Sequence, residues 1–538
     1  MTPRTAAHEA APLTDLERAY FADTAPIYRE DSGIEPLIDG EAYFRAVHEA
    51  IEATEPGDLI YMLSWWFDPH CLLIPAAQGG QKELGRQLVD KVVEGVDVRL
   101  ILWVNPLSPG PTLWSFGTVL GPAVESFTDH SVVERNIYAA RLLRDLEAPE
   151  GPRARPPLAD RVLLDWSGTW TSSHHQKAVV VSNRGTPVAF LAGMDFAPIR
   201  WDRFHHPRRR CFLKAGGRQP CNWHDAGIKL TGAATKGVME TFTARWRECE
   251  SLPPREYSRL GRSESYNPPP PYPPLQDISA DPVSAPGRSV QVLRSFGRVK
   301  IPSLTTSERW STLPTEGVFE IRDTLISAIR AARLAIYVEC QFLNREESVL
   351  NSVFPPGPFF KHSFVYPEIT AALNRGVKVI FVTSGRGDPY DGERGPINTA
   401  LSQTIQTSIL DQIAPEFRHR FVLYRVNYLT VHSKVVLIDD VFLSIGSANF
   451  FDRSLDGTDT ELTVAAVDTG TLVRDLRVRL WADHLRIDPD DPAVQAGLGN
   501  LEQGLAIWRP GVWGSPPPLP ESAVKPVLRL IGPPDPEP

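Results

Sequence analysis

Hydrophobic positions along this chain follow two alternating periods, and the alternation is written twice. In the first half, residues 41–53 carry apolar side chains at helical spacing, 58–66 form a near-continuous apolar run, 83–94 return to helical spacing and 98–104 are again an apolar run. The same order recurs in the second half, with a helix predicted over 318–332, a strand over 334–342, a helix over 367–375 and a strand over 377–383. Strands that read as unbroken apolar runs between helices are covered on both faces, which predicts an α/β protein with mixed sheets flanked by helices. A length of 538 residues exceeds what one core usually supports, so the duplication predicts two similar lobes packed about a pseudo-twofold axis. The expected divisions are an N-terminal extension (1–35), a first lobe (36–252), a proline-rich linker (253–290), a second lobe (291–490) and a proline-rich tail (491–538). The linker, with Pro268 to Pro271, Tyr272, Pro273 and Pro274, reads as an extended spacer, and the tail from Pro510 on reads as irregular.

Each half then reaches a β-type run that opens on the same signature. One is His175-Gln176-Lys177 before a run of valines; the other is His432-Ser433-Lys434 before Val435-Val436-Leu437-Ile438-Asp439. With 13 His and 11 Lys in the chain, chance supplies about a quarter of one H-x-K match, against two found. On a strand, residues i and i+2 share a face, so each motif aims an imidazole and an ammonium into one cleft, and a pseudo-twofold axis brings the two clefts together. The chemistry this suits is phosphodiester cleavage. A phosphodiester repels nucleophiles, and its alkoxide leaves poorly without a proton. Two imidazoles in opposite protonation states, with Lys177 and Lys434 supplying positive charge, meet both difficulties. Gly446 and Ser447 let backbone approach a phosphate, and the Ser447 hydroxyl and Asn449 amide can donate to it.

The stretch VHSKVVLIDDVFLSIGSANFFDRSLDGTDTEL, which carries His432 and ends just past Glu461, resembles the second signature of the phospholipase D superfamily, H-x-K-x4-D followed by G-S-x-N, in its plant and eukaryote-like form. The first signature departs from that form. Ser182 stands in the Asp slot, the hairpin is three residues longer, and Ala192-Gly193-Met194-Asp195 stands where the family has G-G-I-D or G-S-x-N. The resemblance implies two phospholipase D-like lobes and a reaction with no metal and no cofactor. In it His175 attacks phosphorus while His432 protonates the leaving alcohol and then activates water; the residues alone leave open which histidine attacks. It also implies that downstream carboxylates hold the histidines, at Asp225 in Asn222-Trp223-His224-Asp225 and at Glu461 in Asp459-Thr460-Glu461. Gly193, Asp195, Ser447 and Asn449 are the implied phosphate-binding positions. Asp439 is implied to brace its hairpin about 16 Å from the lysine, so Ser182 in the equivalent slot is expected to be a structural difference. The implied function is hydrolysis of the head-group phosphodiester of glycerophospholipids to phosphatidic acid, with transfer to alcohols also open. The alternatives are a head-group synthase, a nuclease of the same superfamily, or a degenerate phosphate-binding scaffold.

Composition narrows the partners. A net charge of −9 and a pI near 5.9 argue against a nucleic-acid partner, and Arg208-Arg209-Arg210 reads as a solvated loop. Cys71, Cys211, Cys221, Cys249 and Cys340 show no ligand or disulfide spacing, and His174, His205 and His206 show no metal spacing. No secretory h-region opens the chain, and its longest apolar run, Leu59 to Phe67, is far below the roughly 20 residues of a spanning helix. The expectation is a soluble, cytoplasmic monomer, with export by a signal-independent route left open. It would meet its phospholipid substrate peripherally at a membrane surface through cleft loops. Trp65, Trp66, Trp201 and Trp223 are candidates for lining that cleft or for its core.

Overall fold

The computed structural model describes residues 14–79, 82–105, 130–149, 155–167, 172–204, 206, 210–212, 218–220, 223–259, 262–278, 281–297, 317–341, 364–384, 409–426, 430–450, 452–485, 487–508 and 528–530. The first lobe runs β1 (Ser32–Ile38), α1 (Asp39–Glu52), β2 (Leu59–Ser64), α2 (Leu84–Val93), β3 (Asp97–Trp103), α3 (His130–Asp145), β4 (Val162–Asp165), β5 (Ala178–Asn183), β6 (Thr186–Ala192), β7 (Ala226–Gly232) and α4 (Thr235–Ser251). The second runs β8 (Arg288–Phe296), α5 (Glu320–Ala331), β9 (Ala335–Glu339), α6 (Tyr366–Asn374), β10 (Lys378–Ser384), β11 (Phe421–Val426), β12 (Val435–Ile438), β13 (Phe442–Gly446), β14 (Glu461–Asp468) and α7 (Leu472–Leu485). The first sheet is ordered β1-β7-β6-β5-β2-β3-β4, and the second repeats those seven positions as β8-β14-β13-β12-β9-β10-β11. Strand sense recurs as well. The runs β2-β3-β4 and β9-β10-β11 are parallel, and the remaining neighbours are antiparallel.

Two such sheets stack with their helices in layers because their central strands are buried on both faces. β2, β3 and β14 are buried at every position. The outer face of the first sheet packs on Tyr43, Phe44, Val47 and Ile51 of α1, and on α2 and α3. That of the second sheet packs on Ile321, Leu325 and Ile329 of α5, and on α6. A central core shared by both lobes takes Phe242 and Trp246 of α4, Trp481 of α7 and the inner faces of both sheets. Each fully buried aliphatic or aromatic side chain there contributes about 1.5–3 kcal/mol, so the lobes are joined by the apolar effect before any polar group acts between them. Among the described residues no helix is long and apolar enough to cross a membrane.

The structure departs from the sequence reading where the chain joins the lobes. Ser32 begins β1 ahead of the expected boundary at 36, and the helix Asp15–Tyr20 with the strand Tyr28–Arg29 serves the second lobe, Tyr20 stacking on Phe442 and Tyr28–Arg29 pairing with β8. The linker is a docked strap. After a hairpin at Glu256–Arg259 and Arg262–Ser265, Asn267 Oδ1 accepts the Leu164 N–H at 2.7 Å, Gln276 N–H donates to the Tyr61 hydroxyl at 2.9 Å, and Tyr272 packs on the central core. β8 begins at Arg288, inside the span assigned to the linker. In the tail, Trp508 is buried in the central core and Leu528–Leu530 extends the second sheet beside β11; residues 509–527 and 531–538 lie outside the described residues. β2 stops at Ser64, two residues short of the expected strand, because Trp66 turns its N–H to the Asp195 carboxylate. Val318–Phe319 is a short strand against β8, so the helix expected from 318 starts at Glu320. Phe342, the expected end of the strand at 334–342, lies outside the described residues.

The two signature hairpins are braced from opposite ends, which accounts for Ser182. In the second lobe Asp439, at φ +56°, accepts the N–H groups of Arg333, Leu334 and Ala335 at 2.7–2.8 Å and so ties the hairpin to the start of β9. In the first lobe Asp58, just before β2, reaches the other way: it accepts the Arg184 N–H of the hairpin at 2.8 Å and the Glu55 N–H at 2.8 Å. Asp58→Ala should therefore lower stability by about 0.5–1.5 kcal/mol in urea unfolding, the range for a lost hydrogen bond that is only partly buried, and hold turnover within a few-fold. An unchanged midpoint would mean that Asp58 is not the first lobe's brace.

Candidate active site

His175 and His432 sit just before β5 and β12, at strand ends where the lobes face each other. The main chain stitches this seam. Trp223–His224 pairs in parallel with Thr430–Val431, and the His432 N–H donates to the His224 carbonyl at 2.7 Å. The His175 N–H donates to the Thr460 carbonyl at 2.9 Å, and the Thr460 N–H returns to Ser173 at 2.9 Å. That register sets each histidine beside the carboxylate of the other lobe. His175 Nδ1 lies 3.1 Å from both oxygens of Glu461, and His432 Nδ1 lies 2.7 Å from Asp225 Oδ2. With Nδ1 engaged in each ring, Nε2 is the nitrogen left for chemistry. Sequence reading found both carboxylates; their exchange between lobes follows only from the fold.

Each lysine folds back over its own motif. Lys177 Nζ donates to the His175 carbonyl at 2.9 Å and Lys434 Nζ to the His432 carbonyl at 2.5 Å. Lys177 also stands 3.5 Å from Asp195 and 5.0 Å over the Trp65 ring, which meets His175 edge-on. Burial lowers Lys177 and takes Lys434 down to about 8. Burial, then the charges of both lysines, hold His175 well below the ordinary imidazole value; burial, Lys434 and Arg200 do the same to His432. Each lysine acting on the histidine of the opposite lobe means that the four side chains share one site. Burial also pushes the carboxyls up, Asp225 to about 7 and Glu461 to about 8, so each buried histidine–carboxylate pair shares its proton.

The proposed phosphate-binding positions are arranged as follows. The Ser447 hydroxyl donates to Glu461 Oε2 at 2.5 Å, which commits it to the carboxylate. Asn449 accepts from Cys340 Sγ at 3.6 Å, and its N–H donates to Ser454 at 3.2 Å. Asp195 is turned to the Trp66 N–H at 3.0 Å, to Lys177 and, at 3.4 Å, to Arg200. Gly193 is a packing requirement: a Cβ there would lie 2.5 Å from Asp225 Oδ1 and 2.9 Å from the His432 carbonyl.

Several residues at the site had no sequence signal. Arg200, a lone arginine beyond Asp195, stacks 3.7 Å over the Trp223 ring, which meets the His432 ring edge-on at 5.1 Å; the Nε and Nη1 of Arg200 are buried with no hydrogen-bond partner among the described residues. Ser454, inside the segment that carried the resemblance, donates to Glu461 Oε1 at 2.6 Å. Behind the second motif, Glu339 accepts from Ser433, Tyr337, His224 and His484 at 2.5–3.0 Å. Asp39, His206, His224 and Asp483 each present a ligand atom within 4.8 Å of the others, and His224, Glu339 and His484 form a second such group. These donors could hold a divalent cation. The same carboxylates also suit protonated imidazoles: burial opposes the charge, yet Asp483 and Asp39 raise His206 to about 10, and Glu339 and Asp39 raise His224 well above its ordinary value. Trp66 and Trp201 are buried in the outer core of the first lobe. Of Arg210 and Cys211 only the backbone is described, a short strand. His205, Arg208, Arg209, Cys221, Asn222 and the segments 106–129, 342–363 and 385–408 lie outside the described residues.

Comparison with known proteins agrees with this geometry. Residues 53–346 match the family model described as Phospholipase D, and residues 352–483 match that described as Cardiolipin synthase, PLD-like domain. The chain is 24% identical over 549 residues to phospholipase D alpha 3 of Arabidopsis thaliana, covering 83% of this chain and 63% of that protein. It is 25% identical over 540 residues to phospholipase D alpha 2 of Oryza sativa subsp. japonica, covering 79% and 62%. The chain thus spans a little under two thirds of the length of these curated relatives. Among solved structures, the phosphatidylserine synthase of Haemophilus influenzae Rd KW20 aligns at 13% identity with a TM-score of 0.47, over 84% of this chain and 85% of that one.

The close approach at Gly193 gives a test of the cross-lobe brace. Gly193→Ala pushes a methyl into Asp225, so turnover on whatever phosphodiester the enzyme takes should drop at least tenfold, with a stability cost of about 1–3 kcal/mol. Full activity in a folded Gly193→Ala protein would show that Asp225 need not stand where it does.

Proposed function

The chain belongs to the phospholipase D superfamily, and from that premise we propose that it hydrolyses the head-group phosphodiester of glycerophospholipids to phosphatidic acid through a phosphohistidine. The observation that carries this reading is the crossed pair of histidine–carboxylate contacts, which turns two motifs 257 residues apart into one site with two Nε2 atoms and two lysines. His175 attacks phosphorus, and the P–O bond to the head group breaks. His432 gives its proton to the departing alkoxide, then takes one from water as the hydroxide displaces His175. Glu461 and Asp225 receive the Nδ1 hydrogen bonds and steady whichever ring carries positive charge. Lys177 and Lys434 attract the phosphate oxygens. The protein works as a peripheral enzyme on lipid.

A second reading, transfer of the phosphatidyl group to an alcohol, is favoured by the match of residues 352–483 to a model named for cardiolipin synthase. The two readings share the covalent step and differ in the acceptor. Phospholipids and oligonucleotides of defined composition, incubated with the protein and resolved by mass spectrometry, separate them: phosphatidic acid supports hydrolysis, a new head group supports transfer, and cleaved oligonucleotide alone overturns both.

His175→Ala and His432→Ala should each lose at least 10²–10⁴-fold in turnover while remaining folded, because neither ring can take the other's side of phosphorus. More than about a tenth of wild-type turnover in either variant would exclude the two-histidine mechanism. If phosphatidyl rests on histidine, ethanol should divert product to phosphatidylethanol at an unchanged rate of head-group release when the first step is limiting. A chiral phosphorothioate should come through with its configuration retained, since two in-line displacements invert it twice, and inversion would rule out the covalent intermediate.

A further inference from the structure

Glu461 is fully buried and takes three donors, two of them hydroxyls whose protons the surrounding backbone aims at it. Ser447 Oγ accepts the Leu462 N–H at 3.0 Å and lies 2.5 Å from Glu461 Oε2, against 3.3 Å from its other acceptor, the Leu462 carbonyl. Ser454 Oγ accepts the Asn449 N–H at 3.2 Å and lies 2.6 Å from Glu461 Oε1. A hydroxyl that already accepts from a backbone N–H turns its own proton to the nearest acceptor. Each oxygen of Glu461 therefore receives one short O–H···O bond, of the length found when the acceptor is ionised. The third donor is His175 Nδ1, 3.1 Å from both oxygens. Asp225 lacks such support: its Oδ1 accepts the Ala226 N–H at 2.8 Å, its Oδ2 faces His432 Nδ1, and no hydroxyl of the described residues donates to it.

We propose that Ser454 is a positioning residue which, with Ser447, favours the ionised form of Glu461 against its burial and so favours the imidazole proton of His175 on Nδ1, leaving Nε2 as a bare lone pair toward phosphorus. The inference rests on the phosphohistidine reading and deepens it by naming the group that prepares the attacking ring. Ser454 is fully buried in the turn Asp452–Leu455 and never reaches the substrate; it acts through Glu461. The charged groups around the pair work in both directions. Burial and then Asp459 raise Glu461, while Ser447, Ser454 and Lys177 lower it. His175 faces Lys177 and Lys434, which disfavour its cation, and Asp459 and Asp195, which favour it. Asp459 is itself held by Arg453 at 2.7 Å and by the Ser173 N–H at 2.8 Å, so its charge stays in place when Ser454 is changed.

The sign follows from these contacts. Removing the Ser454 hydroxyl removes one of the influences that lower Glu461, so the carboxyl rises further and the pair keeps its extra proton to higher pH. In Ser454→Ala the acid limb of kcat/KM on phosphatidylcholine micelles should move up by about one pH unit, making the variant about tenfold slower near pH 6 and nearly wild type only near pH 10. Ser454→Thr, which retains the hydroxyl, should restore the wild-type limb. Protein labelled with ¹⁵N-histidine, its His175 signals assigned by their loss in His175→Asn, gives a readout that needs no substrate. The wild type should show Nδ1–H with a bare Nε2 above about pH 8, where the pair loses its extra proton, and Ser454→Ala should reach that tautomer only at higher pH. An equal loss of activity at every pH with the tautomer unmoved would overturn the proposal, as would a wild-type limb and tautomer in the alanine variant. If the wild type cleaves no phospholipid but the tautomer shifts as stated, the role of Ser454 stands and the lipid assignment falls.

Discussion

A carboxylate taken from water into a protein interior must be paired, and at the seam of this protein two buried carboxylates each find a histidine partner in the other lobe. Glu461 and Asp225 are both fully buried, and each faces a histidine across the seam. Unpaired, either charge would cost several kcal/mol, more than a typical single hydrogen bond returns. The lobes therefore cannot separate without stranding two carboxylates, nor rotate without breaking the register of His175 on Thr460 and His432 on His224. The shared apolar core supplies the attraction between the lobes, and the crossed carboxylates fix which arrangement it adopts. The strap over 266–278 and the N-terminal segment, which reaches the second lobe before the first begins, follow the same seam.

The duplicated frame carries unequal chemistry. Fourteen strands in two sheets have one order and one set of senses, so each side chain has a counterpart, and the counterparts differ where the chemistry would gain from difference. Ser447 and Asn449 stand opposite Gly193 and Asp195. The hydroxyl supports Glu461, while the glycine lets Asp225 approach. Asp195 gathers Lys177 and Arg200 on the first lobe's side. Asp58 performs from the start of β2 what Asp439 performs from its hairpin, which is why Ser182 could appear without loss of the brace. A hydrogen bond between two elements constrains both, and evolution can keep the acceptor on either.

How far the sequence could be read tracks the range over which each feature is determined. Long apolar runs such as 98–104 carry their own signal, because a strand buried on both faces has no polar position to interrupt it, and β3 was found to within a residue. The H-x-K motifs were legible from their repetition ahead of two apolar runs, although in the fold His175 to Lys177 and His432 to Lys434 lie just before the strands that expectation put them on. Strand ends were less so: β2 stops where Trp66 N–H finds Asp195, a contact across 129 residues. The role of the proline-rich segment was misread for the same reason. Its composition suggests an extended spacer, but nothing local reports that Asn267 and Gln276 will meet β4 and Tyr61. Arg200 and Ser454 were missed because a lone arginine or serine has no period, and only the assembled seam shows what they face.

On the phosphodiester chemistry proposed above, the charges at the site also set the order in which catalysis would proceed. Three cations, Lys177, Lys434 and Arg200, lie among three carboxyls, Asp195, Asp225 and Glu461, and both imidazoles are driven toward neutrality by burial and by those cations. Before substrate arrives the site thus holds two candidates for nucleophile and no strongly favoured acid. A phosphodiester adds one negative charge within reach of both rings, and at a few ångströms in a buried site that charge is worth several kcal/mol to an imidazolium. The ring it favours takes a proton and becomes the acid, while the other keeps its lone pair. Since two hydroxyls donate to Glu461 and, among the described residues, none donates to Asp225, the two rings are already unequal when the phosphate binds. The substrate's own charge completes a division of labour that the hydrogen bonds of the folded protein have begun.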